Sequence, residues 1–184
     1  GMRQYQPYIS DSTLADTLHD ISCGSTSCNP IAGTNQNVES WRNQVKADLI
    51  VQIVRYGVSI NGGTQCGVGW IPQQSSHFLS HLKALTFSVN AIESRSGFSC
   101  SNIVVAHEMG HNFGLGHDRE TSPEFTPYYL YARGYKTSSF GTVMSYTNNY
   151  LLTLSNPYVT YEGQPTGVPI GQTGEAYAAR AVEN

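Results

Sequence analysis

The chain predicts an α/β fold, closer to α+β: a twisted sheet with one chemically loaded helix above it and a mostly irregular C-terminal part. Three observations predict it. Asp48 to Val54 is a nearly continuous apolar run rich in β-branched residues, which reads as a buried central strand. His107 and His111 follow an apolar run, Ile103 to Ala106, at a spacing that puts both imidazoles on one helix face. Beyond His117, prolines, glycines and clustered tyrosines replace any periodic apolar spacing, and the chain reads as loop. The 184 residues suffice for a single domain with a sizeable core. The change at Gly114 divides it into an N-terminal subdomain of about residues 1–114 and a C-terminal one of about 115–184.

The elements are justified in order. Leu14, Leu18 and Ile21 have helical spacing, with Asp11 or Ser12 placed to cap them. His19 on that helix reads as a solvated histidine. Residues 22–37 are loop. Asn37 to Lys46 reads as a helix with Val38, Trp41 and Val45 on one face, leading into the strand at Asp48. Asn61-Gly62-Gly63 is a turn, and Cys66 to Ile71 a short edge strand closed by Pro72. Its two glycines leave the backbone open to close approach. His77 and His81, in a polar loop over residues 73–83, read as surface histidines, because no carboxylate or third imidazole stands near them. Leu85, Phe87, Val89 and Ala91 share one face of a strand ending near Ile92. Ser101-Asn102 caps the histidine helix, whose apolar start predicts burial. Gly174 to Val182 is a last short helix, with Ala176, Ala179 and Ala181 easing close packing.

Composition excludes some functions. Charged residues are 12% and net charge is −3, so nothing favours nucleic acid or an anionic membrane. No apolar run is long enough to span a bilayer. No signal peptide opens the chain, which reads as a processed form. The four cysteines, Cys23, Cys28, Cys66 and Cys100, are not spaced as a zinc knuckle. They read as two disulfides of an oxidising compartment rather than four reduced thiols of the cytosol. Of the three pairings, Cys23–Cys28 closes a small polar loop, and Cys66–Cys100 then ties a strand edge to the segment entering the histidine helix.

The chemistry concentrates in His107-Glu108-Met109-Gly110-His111-Asn112-Phe113-Gly114-Leu115-Gly116-His117-Asp118. His107 and His111 can share one Zn²⁺. Glu108 points about 100° round the helix, badly placed as a third ligand and well placed to reach a water on the metal. Gly114 tolerates positive φ and can end the helix in a sharp turn, so that His117 joins the same metal. Three protein ligands leave a fourth position for water, as in catalytic zinc sites.

The string H-E-x-x-H-x-x-G-x-x-H, with a methionine in Thr142-Val143-Met144-Ser145-Tyr146, resembles the metzincin pattern of zinc endopeptidases. Met144 lies 27 positions after His117. Asp118 after the third histidine resembles the reprolysin (adamalysin) branch, and Trp41-Arg42 and Cys66-Gly67-Val68-Gly69 fit it too. The tail, from Ser155-Asn156-Pro157 through Val159-Thr160-Tyr161 to Ala178-Ala179-Arg180-Ala181, is similar to bacterial reprolysin-like enzymes, including the peptidyl-Asp metallopeptidases. The likeness runs from about residue 38 to the end.

This resemblance implies a metzincin-like zincin fold and a secreted bacterial endopeptidase matured from a longer precursor. It implies one catalytic Zn²⁺ on His107, His111 and His117, with Glu108 as general base; calcium is left open. Met144 would form a turn beneath the metal as an apolar floor, and Asp118 would anchor the turn after His117. A polypeptide substrate would pair with the edge strand, and the expected state is a monomer. Metzincins usually open with a strand and a long backing helix. Only 47 residues precede Asp48 here, many of them loop, so those elements are expected to be missing or reduced. In astacins and serralysins a tyrosine two after the methionine reaches the zinc; in reprolysins it generally does not, and Tyr146 is read as structural. If acidic residues follow the cut, Arg133, Lys136 or Arg180 would line the pocket, though each reads better as a solvated charge. Two rivals remain: a non-catalytic domain of this fold that binds proteins, and a zinc hydrolase acting on a non-peptide amide.

Overall fold

The structure, a computed structural model, describes residues 13–24, 35–60, 63–72, 82–94 and 99–183. These fall into two compact units, one within Gly1–Trp70 and Leu79–Asn112, the other within Ile71–Phe78 and Phe113–Asn184.

The first unit opens with two short helices, α1 (Leu14–Cys23) and α2 (Gln36–Val45). The cap of α1 is Thr13, not Asp11 or Ser12, which lie outside the described residues. Its hydroxyl accepts from the Asp16 N–H at 3.1 Å, and the Asp16 carboxylate accepts from the Thr13 N–H at 2.7 Å, closing a reciprocal cap. The Thr13 N–H and, at 2.9 Å, the Thr13 hydroxyl both donate to the Asp16 carboxylate and hold its pKa below the ordinary value. Helix α2 departs from the expected apolar face. Val38 and Arg42 are buried and Val45 is exposed. Arg42 can be buried because its donors are met: it donates to the carbonyls of Ala47 at 3.1 Å, Lys83 at 2.6 Å and Asp48, and to the Thr86 hydroxyl.

Strands β1 (Ile50–Ile60), β2 (Gly63–Gln65), β3 (Gly67–Gly69) and β4 (Phe87–Ser94) form one sheet in the order β2-β1-β4-β3. The run at Asp48 therefore becomes an interior strand, longer than its apolar core suggested. The strand expected from Leu85 starts instead at Phe87, as β4, because Leu82–Leu85 coil into a 3₁₀ turn. β1 and β4 run parallel, and β3 lies antiparallel to β4 at the sheet edge with Val68 opposite Val89. Before β1 the described residues contain two helices and no strand. Leu14, Leu18, Ile21 and Val38 from the helices pack with Phe87 and Val89, and Val68 joins them from β3. Alternate residues of a strand face opposite ways. Gly67 and Gly69 accordingly face the other side, where helix α3 (Val104–Asn112) lies against them.

Asn112 fastens α3 to the sheet. Its side-chain amide donates to the carbonyls of Phe87 at 2.8 Å, Trp70 at 2.9 Å and Leu85 at 3.3 Å. Removing that amide takes a donor from each; the Phe87 carbonyl keeps the Trp70 N–H at 3.2 Å, and a buried carbonyl left unpaired costs about 1–3 kcal/mol. Asn112→Ala is expected to lower unfolding stability by about 3 kcal/mol. Urea denaturation checks this, and a loss below half a kilocalorie would show that water replaces the amide.

The second unit is irregular, as its composition predicts. Its regular pieces are β5 (Thr160–Tyr161) paired with β6 (Gln164–Pro165), and α4 (Ala178–Val182). The last helix is shorter than expected because Gly174 takes φ +80° and Ala176 pairs with Val168 instead of entering the helix. Leu115, Ala132, Val143, Met144 and Ala178 form its core. Among the described residues no helix is long and apolar enough to cross a membrane.

Candidate metal centre

Helix α3 buries its chemistry more fully than its apolar start, of which Ile103, just before the helix, is buried. His107, Glu108, Gly110, His111 and Asn112 are buried, whereas Ala106 is exposed and Val104 and Val105 are half-buried. The reason is that the side facing β3 and β4 is the one carrying Glu108 and Asn112.

The rings of His107 and His111 stand edge to face with centroids 4.8 Å apart, one helical turn along the same face. The helix stops at Asn112, two residues before the glycine expected to end it. Gly114 then takes φ +79°, where a Cβ would meet Tyr128 Cβ at 3.1 Å. Over this short local path the chain gathers three imidazoles. One ligand nitrogen from each of His107, His111 and His117 lies within 4.8 Å of the others. Three neutral nitrogen donors with no carboxylate among them suit zinc better than calcium or magnesium.

Glu108 is set apart from the three donors, against the edge strand. A Cβ at Gly67 would lie 2.5 Å from Glu108 Oε1, and one at Gly69 2.8 Å from the Glu108 carbonyl. The two glycines make the space that the carboxylate fills. Burial pushes its pKa up to about 8.

Residues after the helix hold His117. The Asp118 carboxylate accepts from the Thr121 N–H at 3.0 Å, the Thr121 hydroxyl at 2.7 Å and the Tyr146 N–H at 3.2 Å. These bonds, with Lys136 nearby, keep Asp118 below its ordinary pKa although it is buried. Asp118 thus joins the turn after His117 to the Met144 turn. Met144 is wholly buried, and Gly134 packs so closely that a Cβ there would meet the Met144 carbonyl at 2.5 Å. The ring of Tyr146 lies 4.6 Å from that of His117, tilted, with the side chain exposed. Cys66 and Cys100 form a disulfide with Cα atoms 5.6 Å apart, tying the start of β3 to the approach to α3. The pairing of Cys23 with Cys28 involves Cys28, which lies outside the described residues.

The other polar residues singled out in the sequence fare differently. Arg133 is not a solvated charge. It is 3% exposed and donates to the carbonyls of Ser122 at 2.9 Å and His117 at 3.4 Å. Lys136 is largely covered, 3.1 Å from Glu120 and 3.9 Å from Asp118. Arg180 is a half-exposed surface charge 3.3 Å from Glu183. His19 is half-buried, packing edge-on against Trp70 at 4.9 Å. His77 and His81 lie outside the described residues. Sequence reasoning missed Ser122, whose hydroxyl is 3.1 Å from His117 Nδ1, and it missed the anchoring role of Asn112. A serine five residues past a ligand carries no pattern of its own.

Comparison with known proteins agrees with this geometry. The family model described as Metallo-peptidase family M12B Reprolysin-like matches residues 6–167. A protein named peptidyl-Asp metalloendopeptidase, from Pseudomonas aeruginosa, is 30% identical over 165 residues. That match takes in 80% of this chain and 26% of the relative, so the chain spans about a quarter of that protein's length. A solved structure described as that of a chaperone-substrate complex aligns with a TM-score of 0.50 at 24% identity, over 80% of this chain and 23% of the other; it supports the fold alone. With most of its length matched by the family model, the chain belongs to the reprolysin-like M12B family of metallo-peptidases.

Proposed function

We propose that this chain is a zinc-dependent endopeptidase domain, and that it works outside the cell. The observation that carries the reading is the cluster of His107, His111 and His117, with ligand nitrogens within 4.8 Å, next to a buried carboxyl on the same helix. Bound zinc supplies Lewis acidity there, polarising the scissile carbonyl and acidifying water.

The chain's own residues supply the rest. Glu108, beside β3, takes the proton of the attacking water and returns it to the leaving amine. Burial raises the proton affinity of this carboxyl, and a nearby bound cation would draw it back down, toward the range a proton shuttle needs. Strand β3 is the sheet edge, and an extended polypeptide can add to it through main-chain hydrogen bonds. Gly67 and Gly69 remove side chains from the face of β3 that Glu108 occupies, which brings the proton acceptor close to a peptide held there. The edge strand is what favours a polypeptide over a non-peptide amide. The Cys66–Cys100 disulfide supports an oxidising, extracellular setting.

The test is digestion of casein and of a fluorogenic peptide by zinc-loaded protein, with and without chelator. Turnover that a chelator abolishes and added zinc restores is expected. Zinc-loaded protein that cleaves neither substrate would favour a protein-binding domain of this fold, and chelator-insensitive cleavage would overturn the metal reading.

A further inference from the structure

His117 is the one proposed ligand outside α3, so something other than the helix must set its ring. Its Nδ1 lies 3.1 Å from Ser122 Oγ. Ser122 is itself pinned on both sides of its side chain. Its N–H donates to the Asp118 carbonyl at 3.1 Å, and its carbonyl accepts from Arg133 at 2.9 Å. The same guanidinium nitrogen reaches the His117 carbonyl at 3.4 Å, so Arg133 straps both ends of the loop from His117 to Ser122. Inside that loop Asp118 takes two further hydrogen bonds from Thr121. Ser122 is thus held at three points, through its hydroxyl, its N–H and its carbonyl. Burying an arginine to hold two carbonyls is costly unless its placement matters.

We propose that Ser122 is a positioning residue for the third ligand: its hydroxyl accepts the Nδ1 proton of His117, directing Nε2 to the metal, and Arg133 fixes the loop that carries it. This rests on the zinc reading above. A ligating histidine generally passes its second ring proton to an oxygen acceptor, and that partner fixes the tautomer and the ring orientation. Here the acceptor is a neutral hydroxyl rather than a carboxylate. The carboxylate that neighbours His117 in sequence, Asp118, is spent on backbone and hydroxyl donors instead.

The experiment compares wild-type protein with Ser122→Ala and Ser122→Thr. Nitrogen-15 shifts of the His117 ring in metal-free protein at pH 8 give the tautomer, and competition with a chromophoric chelator gives zinc affinity. Wild type is expected to hold the Nδ1–H tautomer. Ser122→Ala is expected to shift it toward Nε2–H and to weaken zinc binding about 10–100-fold. Ser122→Thr, which keeps the hydroxyl, is expected to restore both. A wild-type Nε2–H tautomer, or zinc affinity within twofold of wild type in folded Ser122→Ala, overturns the proposal. Wild type with the expected tautomer that binds no zinc overturns the zinc reading instead, and the tautomer on wild type alone decides the hydrogen bond should Ser122→Ala not fold.

Discussion

Glu108→Gln is expected to lower kcat on a fluorogenic peptide by about 10²–10⁴-fold, the usual contribution of a positioned general base. The size of the loss follows from what the substitution leaves alone. Glutamine has the shape of glutamate, so the space cleared by Gly67 and Gly69 stays filled. The three imidazoles do not include it, so zinc stoichiometry is expected to stay at wild-type level. KM is expected to change little, because the proposed mode holds substrate by the edge strand and not by this carboxyl. His111→Ala is the contrasting variant, since it removes a donor and is expected to lose zinc and activity together. Glu108→Gln that retains its zinc and keeps kcat within tenfold of wild type would show that another group takes the proton.

Much of this centre was legible because its parts carry periodic or chemically specific signals. His107 and His111 have helical spacing, Gly114 sits where the chain must turn, and Asp118 and Met144 stand at places the family resemblance marks. The interior strand at Asp48 and the edge strand at Cys66 were legible from β-branched runs and from Pro72. What was not legible depends on partners brought from elsewhere in the chain. Arg42 looks like a surface residue of α2 until the carbonyls of Ala47, Asp48 and Lys83 converge on it. Arg133 looks like a free charge until the loop at 117–122 closes round it. Asn112 looks like filler between His111 and Gly114 until its amide meets three carbonyls of the sheet side. Single polar residues that satisfy backbone groups have no period, so hydropathy patterns pass over them. The apolar start of α3 told only part of its burial for a related reason. Ile103 is buried and Val104 faces Gly67, but Glu108 and Asn112 also meet glycines and carbonyls of the sheet there.

Gly67→Ala carries the other large expected effect, and it isolates the link between edge strand and general base. The added Cβ would lie 2.5 Å from Glu108 Oε1, 2.6 Å from its Cγ and 2.7 Å from Val104 Cγ2. No real Cβ sits so close, so the carboxylate must move. A displacement on the order of 1 Å in a catalytic group costs about 10²-fold in rate, and the crowding costs about 1–3 kcal/mol in stability. The neighbouring glycine supplies the control. A Cβ at Gly69 would meet the backbone carbonyl of Glu108 at 2.8 Å, an atom that truncating the side chain leaves in place. In a Glu108→Ala background, Gly67→Ala is therefore expected to cost clearly less stability than in wild type. Gly69→Ala is expected to cost nearly the same in both. Urea titration of the two double-mutant cycles reads this difference directly. Equal costs for Gly67→Ala in the two backgrounds would mean that Glu108 does not occupy the space the glycine clears, and the proximity of the base to a strand-bound peptide would lose its support.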